Sequence, residues 1–387
     1  MSKIMLRNIK YFKGLGALRF FAAFLVVIHH AEQIRMKYGM LNLKQYSLFN
    51  NGSLAVTFFF VLSGFLISYL LLKEYGKTND ITVKKFYYRR ILRIWPLYFL
   101  LVIIGTILLP YFLGFLGYKY IMPYSFKDVF LYYIFFSPFL VNIFYGHHLL
   151  EPLWSIGVEE LFYIIWAPLF KFLRDYILQI ILLIILFRVV VMYLSFLGFF
   201  GPVIERLIKM LRFEAMAIGG LGSYLIYNYK NLFSHFIFSK LSQLFLIIFI
   251  ILRLFGFQFL SENSFVFHFL FTTPVFSQIL ITTIFAWLIV NVSMNPKSIL
   301  SMDSKVLNFL GNISYGIYMY HMLIIFAILI FLKDYLLALN IINSSVIFYL
   351  VLTTIVILAS YLSKIFFEDY FLRLKKKFRI DNVKVNS

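Results

Sequence analysis

The sequence predicts an all-α protein that crosses a membrane many times. Three observations predict it. Apolar runs recur from one end to the other, and a helix needs about 20 such residues to cross a bilayer. Hydrophobic residues fill 62% of the 387 positions and charged ones 13%, too little charge for the surface of a soluble protein of this length. Lys and Arg collect in the short stretches between the runs, as in cytoplasmic loops. The expected architecture is a polytopic bundle of about ten transmembrane helices plus a re-entrant or interfacial segment near 128–150. Both termini are expected in the cytoplasm. Residues 1–387 read as one integral membrane domain with basic tails at 1–13 and 372–387.

The first run, 17–34 (ALRFFAAFLVVIHHAEQI), follows a basic start without a small-residue cleavage site, so it reads as a retained span. It carries Arg19 near one end and His29, His30 and Glu32 near the other. Ionisable groups at membrane depth are costly and face a partner or a polar interior. Eleven residues from Arg19 to His30 make roughly three helical turns plus 20°, so the two share a face about 16 Å apart. His29 falls about 80° away from Arg19.

The second run, 54–72, follows the turn signal Asn50-Asn51-Gly52. It ends in Lys73, Lys77, Lys84, Lys85, Arg89, Arg90 and Arg93, the densest basic stretch, which belongs inside. The third run, 94–116, has Pro96 near its start, where a helix tolerates it. Runs at 128–145 and 153–170 follow. If both crossed, the tail with Arg373, Lys375, Lys376, Lys377 and Arg379 would end outside, against the charge bias. Pro138, Asn142, Gly146, His147 and His148 also break the first of them, so 128–150 is expected to be re-entrant or interfacial. Further spans are expected at 153–170, 176–198, 212–228, 241–258, 266–292, 307–331 and 344–367. The 199–211 loop should lie outside yet holds Arg206 and Lys209. The plainer account is a short loop escaping a statistical bias; the sharper one is that these cations meet an anionic acceptor. No internal repeat supports an inverted-repeat transporter.

The net charge of +20, from 36 Lys and Arg against 16 Asp and Glu, fits basic loops of a membrane protein better than nucleic-acid binding. Zero cysteines exclude disulfides and thiolate chemistry and remove the commonest structural zinc ligands. No metal is expected.

Five groups of residues could carry chemistry. His30 could act as a general base or accept an acyl group; the bland alternative is a buried histidine bonding a neighbouring helix. Arg89, Arg90 and Arg93 can form one cationic edge at a helix start. Such an edge suits phosphates, or merely signals topology beside anionic lipid. In EPLWSIGVEELFYIIW (151–166), Glu159 and Glu160 sit inside an apolar helix, and Ser155 shares a face with Glu159. Glu159 could orient or charge-balance His30, or one glutamate could simply reach the interface. In RFEAMAIGG (212–220), Arg212 and Glu214 suggest a structural ion pair, and Gly219, Gly220 and Gly222 a close helix approach. In ISYGIYMYH (313–321), Ser314, Tyr318 and His321 form one stripe, as packing glue or as the lining of a cavity.

Taken in order, these motifs resemble those of the acyltransferase-3 family of bacterial membrane proteins, which O-acylate surface glycans. Arg19 with His30 fits its Arg, ten residues, His pattern, and FFFVLSGFLI (58–67), with Ser63, its second-span signature. RRILRIWPLY (89–98) fits its basic loop, and LWSIGVEELFY (153–163), with Trp154 and Tyr163, its Trp-Ser-Leu-x-x-Glu motif. RFEAMAIG, ISYGIYMYH, and Tyr361 with Glu368 complete the set. Ile156 replaces the usual Leu, and the terminal motif lacks its frequent proline. Many relatives carry a second, soluble esterase-like domain; without it the membrane domain would deliver the acyl group itself.

The resemblance implies an acyl-CoA-dependent O-acyltransferase in the bacterial cytoplasmic (inner) membrane. Acetyl-CoA is the expected co-substrate, its phosphates on Arg90 and Arg93 with Arg19 and Arg89 alongside. His30, Glu159 and Ser155 are the expected catalytic group. Ser63, Trp154, Tyr163, Arg212, Glu214, Ser314, Tyr318 and His321 would line the substrate cavity. Membrane lipids, acyl-CoA and a glycan or lipid-linked sugar are the expected partners, a homo-oligomer stays open, and no nucleic acid is expected. The rival readings are a transporter or flippase of lipid-linked sugars that consumes no acyl-CoA, and a structural partner in glycan assembly.

Overall fold

The computed structural model describes residues 12–117, 123–300, 302–375 and 378. The basic segments expected at 1–13 and 372–387 fall largely outside these residues. Among the described residues every regular element is a helix. The chain begins with α1 (Leu15–Lys37), α2 (Gly52–Thr78) and α3 (Val83–Phe115). Two short helices follow, α4 (Phe126–Ile134) and α5 (Pro138–Tyr145), then α6 (Leu153–Phe172) and α7 (Ile177–Phe196). Next come α8 (Pro202–Met210), α9 (Phe213–Ile237), α10 (Lys240–Phe255) and α11 (Phe257–Asn263). The chain closes with α12 (Phe265–Thr272), α13 (Pro274–Met294), α14 (Lys305–Leu337) and α15 (Ile341–Leu374).

Eight helices among the described residues are long and apolar enough to cross a membrane, or nine if the bent pair α10–α11 counts as one span. The protein is therefore a multi-pass, all-helical membrane protein. This agrees with the expected bundle of about ten; of the expected spans, the one at 212–228, in α9, is not among the eight or nine. Sequence pattern and helix continuity part at three places. The run at 241–258 breaks at Gly256, and α11 turns away from α10 by 89°. The run at 266–292 splits at Thr273, which is extended because Pro274 disfavours a helical residue before it. Helix α9 carries a non-helical residue, Tyr229, in its interior.

The segment near 128–150 has the form expected of a re-entrant or interfacial piece. Helices α4 and α5 have nine and eight residues, far short of the ~20 needed to cross. A capping box of Ser125 and Asp128 starts α4, and Phe136, at φ +52°, ends it sharply. Gly157 lets α6 approach this break, since a Cβ there would lie 2.5 Å from the Phe136 carbonyl. His148 anchors the far end. Its Nδ1 accepts from the Leu150 amide at 3.1 Å and the Tyr124 hydroxyl at 3.2 Å, so Nε2–H donates to Asn142 at 2.8 Å. Burial holds its pKa down at about 3, so it bonds as a neutral ring.

The chain divides into two compact units. Unit 1 holds 1–29, 44–81 and 165–312; unit 2 holds 30–43, 82–164 and 313–387. In unit 1, α2 and α9 pack almost backbone to backbone. A Cβ on Gly64 would collide with the Met216 carbonyl, and one on Gly219 with the Val61 carbonyl, the small-residue contact that membrane helices favour. Trp166 donates to Ser68 at 2.9 Å beside Gly220. The expected ion pair within 212–220 takes a different partner: Glu214 binds Arg188 at 2.7 Å. Arg212 and Glu214 are two apart at a helix start, so their side chains diverge. In unit 2, Arg35 binds Glu32 at 2.7 Å with both side chains fully buried. Tyr349 donates to Glu32 at 2.6 Å, the Leu43 amide reaches its second oxygen, and Arg35 donates to Ser345 at 3.0 Å.

Candidate active site

Unit 2 assembles most of the residues expected to act. His30 lies on the last turns of α1, and His321 on α14. His30 Nδ1 and His321 Nε2 are 3.0 Å apart, with the rings inclined at 26°. His321 is fully buried, and its Nδ1 lies 2.5 Å from the Tyr318 carbonyl three residues back. A carbonyl only accepts, so Nδ1 of His321 carries the proton. With both rings neutral, Nε2 of His321 is then the acceptor, and His30 donates to it through Nδ1–H. This fixes the tautomer of His30 and leaves Nε2 as its basic nitrogen. His29, in unit 1, faces elsewhere and bonds the Phe49 carbonyl at 3.1 Å.

A second chain of contacts holds this turn of α14. The Tyr318 hydroxyl lies 2.9 Å from the Pro152 carbonyl and 2.8 Å from Ser155 Oγ, and Ser155 Oγ lies 3.3 Å from the same carbonyl, so the two hydroxyls share one acceptor and bond each other. Both are buried, so the start of α6 braces the turn that presents His321. Ser314 is buried on α14 one turn before Tyr318, and Trp154 is half-buried beside Ser155 on α6.

The cationic edge of α3 lies near the two glutamates of α6. The Arg90 guanidinium sits 5.0 Å from the Tyr163 ring centre and 5.8 Å from that of Phe86. The Tyr163 hydroxyl donates to Glu159 at 2.6 Å. Arg93 is within electrostatic reach of Glu159, Arg90 and Tyr315. Arg89 donates to the Phe378 carbonyl at 3.0 Å. Glu159 and Glu160 thus differ. Glu159 bonds a tyrosine beside the arginines. Glu160 is buried, takes one bond from Trp95 at 3.3 Å on Oε2, and among the described residues has no hydrogen-bond partner on Oε1.

The remaining expected residues belong to unit 1. Arg19 bonds the Leu15 carbonyl at 3.3 Å on α1, and Ser63 is half-buried on α2. Arg212 and Glu214 lie at the start of α9. The sequence reading passed over the Glu32–Arg35–Tyr349–Ser345 cluster. The three-residue spacing of Glu32 and Arg35 could have revealed it; their partners on α15 could not be read from spacing. Neither could the pairing of His30 with His321, 291 positions apart. Among the described residues, no group of three or more His, Cys, Asp or Glu is placed to hold a metal ion.

YrhL of Bacillus subtilis (strain 168), which carries the provisional name peptidoglycan O-acetyltransferase, is 30% identical over 174 residues, 44% of this chain and 25% of its own length. SACOL0978 of Staphylococcus aureus (strain COL), provisionally named an O-acetyltransferase, is 32% identical over 172 residues, 41% of this chain and 24% of its own. Peptidoglycan O-acetyltransferase OatA of Listeria monocytogenes is 28% identical over 178 residues, 43% of this chain and 25% of its own length. The chain thus spans about a quarter of the length of these relatives. No solved structure gives a significant match. The profile of the acyltransferase-3 family, described as an acyltransferase domain, matches residues 12–364, and the chain belongs to that family.

Proposed function

We propose that this protein is an O-acyltransferase of the bacterial cytoplasmic membrane that moves an acyl group, acetyl first, from acyl-CoA to a hydroxyl of a glycan. The glycan is surface-exposed or lipid-linked; the names of the relatives make peptidoglycan one candidate. The His30–His321 pair carries the reading. Its hydrogen bonds leave Nε2 of His30 as a base, and the buried partner shares the charge when that base is protonated. The glycan hydroxyl gives its proton to His30 Nε2 as its oxygen attacks the thioester carbonyl. The new C–O bond forms, the C–S bond breaks, and the CoA thiolate takes the proton back. His321 and Tyr318 are positioning residues. Ser155, bonded to Tyr318 and to the Pro152 carbonyl, is a positioning residue too.

The donor's phosphates would bind Arg90 and Arg93, with Arg89 alongside, because guanidinium groups bind phosphate oxygens through paired hydrogen bonds. Glu159 balances that cationic edge. Trp154 and Ser314 would line the path of the substrates. The test is acetyl transfer by purified protein with radiolabelled acetyl-CoA. His30→Ala should lower kcat by about 10²–10⁴-fold, the range for loss of a general base. Wild-type turnover by that variant would remove His30 from the mechanism. Label retained on His30 after acid quench without acceptor would mark it instead as an acyl carrier.

A further inference from the structure

Unit 1 holds three clefts around the starts of α2 and α13. The first, about 110 Å³, is lined almost wholly by apolar side chains of α1, α2, α10 and α13, among them Phe21, Leu25, Phe58 and Phe285. Arg253 is the one charged residue in its lining. Arg253 also lines the second cleft, about 120 Å³, with Asn50, Ser53, Thr57, Ser277 and Gln278. Gln278 in turn lines the third, about 320 Å³, with Arg188, Lys209, Arg212, Glu205 and Glu214. One apolar cleft and two polar ones are therefore linked through Arg253 and Gln278.

The charges here do not balance. Four cations line the clefts against two carboxylates, and Glu214 is taken by Arg188 at 2.7 Å. Among the described residues Arg253 bonds only the neutral amide oxygen of Asn51, at 3.2 Å, and lies over the Phe257 ring at 4.1 Å. Arg212 bonds Ser53 Oγ at 2.8 Å, the Ser53 carbonyl at 3.0 Å, the Lys209 carbonyl at 3.1 Å and the Thr57 hydroxyl. Among the described residues Arg253 forms no salt bridge with a carboxylate, whereas Arg212 lies within electrostatic reach of Glu214. A guanidinium drawn out of water without a counter-ion is costly in a membrane protein unless a ligand supplies the anion. A plain structural arginine would look like Arg188, with a carboxylate in contact.

We propose that these clefts bind a lipid-linked sugar phosphate. The lipid chain lies in the apolar cleft, the phosphate sits on Arg253, and the sugar extends along Ser277 and Gln278 towards Arg212. An apolar slot with a cation at one end and hydroxyl and amide groups beyond it matches an amphiphile with an anionic joint and a polar head. The proposal rests on the acyltransferase reading only in naming this molecule as the acceptor; binding itself does not depend on turnover.

The experiment therefore reads binding and turnover separately. The full chain, purified in detergent, is titrated with a polyprenyl diphosphate-linked disaccharide and observed by native mass spectrometry. Phosphatidylglycerol is the competing probe. Arg253→Met should weaken retention of the lipid-linked sugar by about tenfold, and Arg253→Lys should restore part of it. In the acetyl-transfer assay, Arg253→Met should raise the KM for this acceptor and leave the KM for acetyl-CoA unchanged. Equal retention by wild type and Arg253→Met would overturn the proposal. So would phosphatidylglycerol displacing the sugar lipid at equal concentration, which would make the slot a site for bulk phospholipid. Binding that depends on Arg253 in a protein that transfers no acetyl group would uphold the site and sink the acyltransferase reading instead.

Discussion

Arg35 and Arg253 are both drawn out of water, and they are treated in opposite ways. Arg35 in unit 2 is fully buried and meets Glu32, Ser345 and the face of Phe348, while Tyr349 and a backbone amide fill the remaining oxygen sites of Glu32. Arg253 in unit 1 is half-buried, stands at the edge of two clefts, and meets an amide and two rings. The first is nearly a closed circuit: charge answered by charge, with the guanidinium Nε alone lacking a hydrogen-bond partner among the described residues. The second is an open one. In a bundle with few charges, closure marks residues that hold the fold, and openness marks residues waiting for a ligand. The His30–His321 pair stands between the two: His321 is held by the Tyr318 carbonyl at Nδ1 and by His30 at Nε2.

The closed circuit should give the largest effect on stability. Glu32→Ala leaves the Arg35 guanidinium buried without its carboxylate. Breaking a buried pair by removing one partner costs about 3–5 kcal/mol. Thermal unfolding in detergent should show a large fall in Tm, while kcat per folded molecule stays near wild type. A wild-type Tm would mean that water or lipid reaches Arg35, and that closure does not mark structural residues.

His321→Gln sharpens the comparison at the mixed site. The amide can still accept from His30, but it cannot share a positive charge with it. We expect kcat to fall by about 10–100-fold, less than for loss of His30 itself, with the acid limb of the pH profile displaced. A fall in Tm without a change in the pH profile would return His321 to packing. Next in size, Arg90→Gln with Arg93→Gln should raise the KM for acetyl-CoA by about tenfold. An unchanged KM would leave that edge with a role in topology.

Sequence pattern reveals closed and open circuits unequally. Helical periodicity put His30 and Arg19 on one face, and α1 is indeed one uninterrupted helix over Leu15–Lys37. The motif ISYGIYMYH carried Tyr318 and His321, and LWSIGVEELFY carried Ser155, Glu159 and Tyr163, because chemistry-bearing groups stand out in apolar runs. The break in 128–150 was legible from its Pro, Gly and His residues. Partners between distant segments were not: nothing local links Glu32 to Tyr349 or Glu214 to Arg188. Arg253 passed without notice because it ends an apolar run, where a basic residue looks like an interfacial anchor. The bends at Gly256 and Thr273 were not legible, since hydropathy is blind to a bend within an apolar stretch.

The smallest effect lies at an exposed pair of charges. His147 bonds Glu151 at 2.7 Å in the turn before α6. That hydrogen bond, helped by the carboxylate's charge, raises the His147 pKa above its usual ~6.5. A raised pKa in the folded state stabilises the protein where the ring is protonated, below about pH 6.5, and the gain fades as pH rises through the folded value. His147 is largely exposed, so solvent screens the pair and the effect is slight. The Tm difference between wild type and His147→Gln should be small and positive at pH 5.5 and should vanish by about pH 8.5. A difference that instead grows with pH would mean that Glu151 prefers the neutral ring, and that this contact belongs with the closed circuits rather than with the solvated surface.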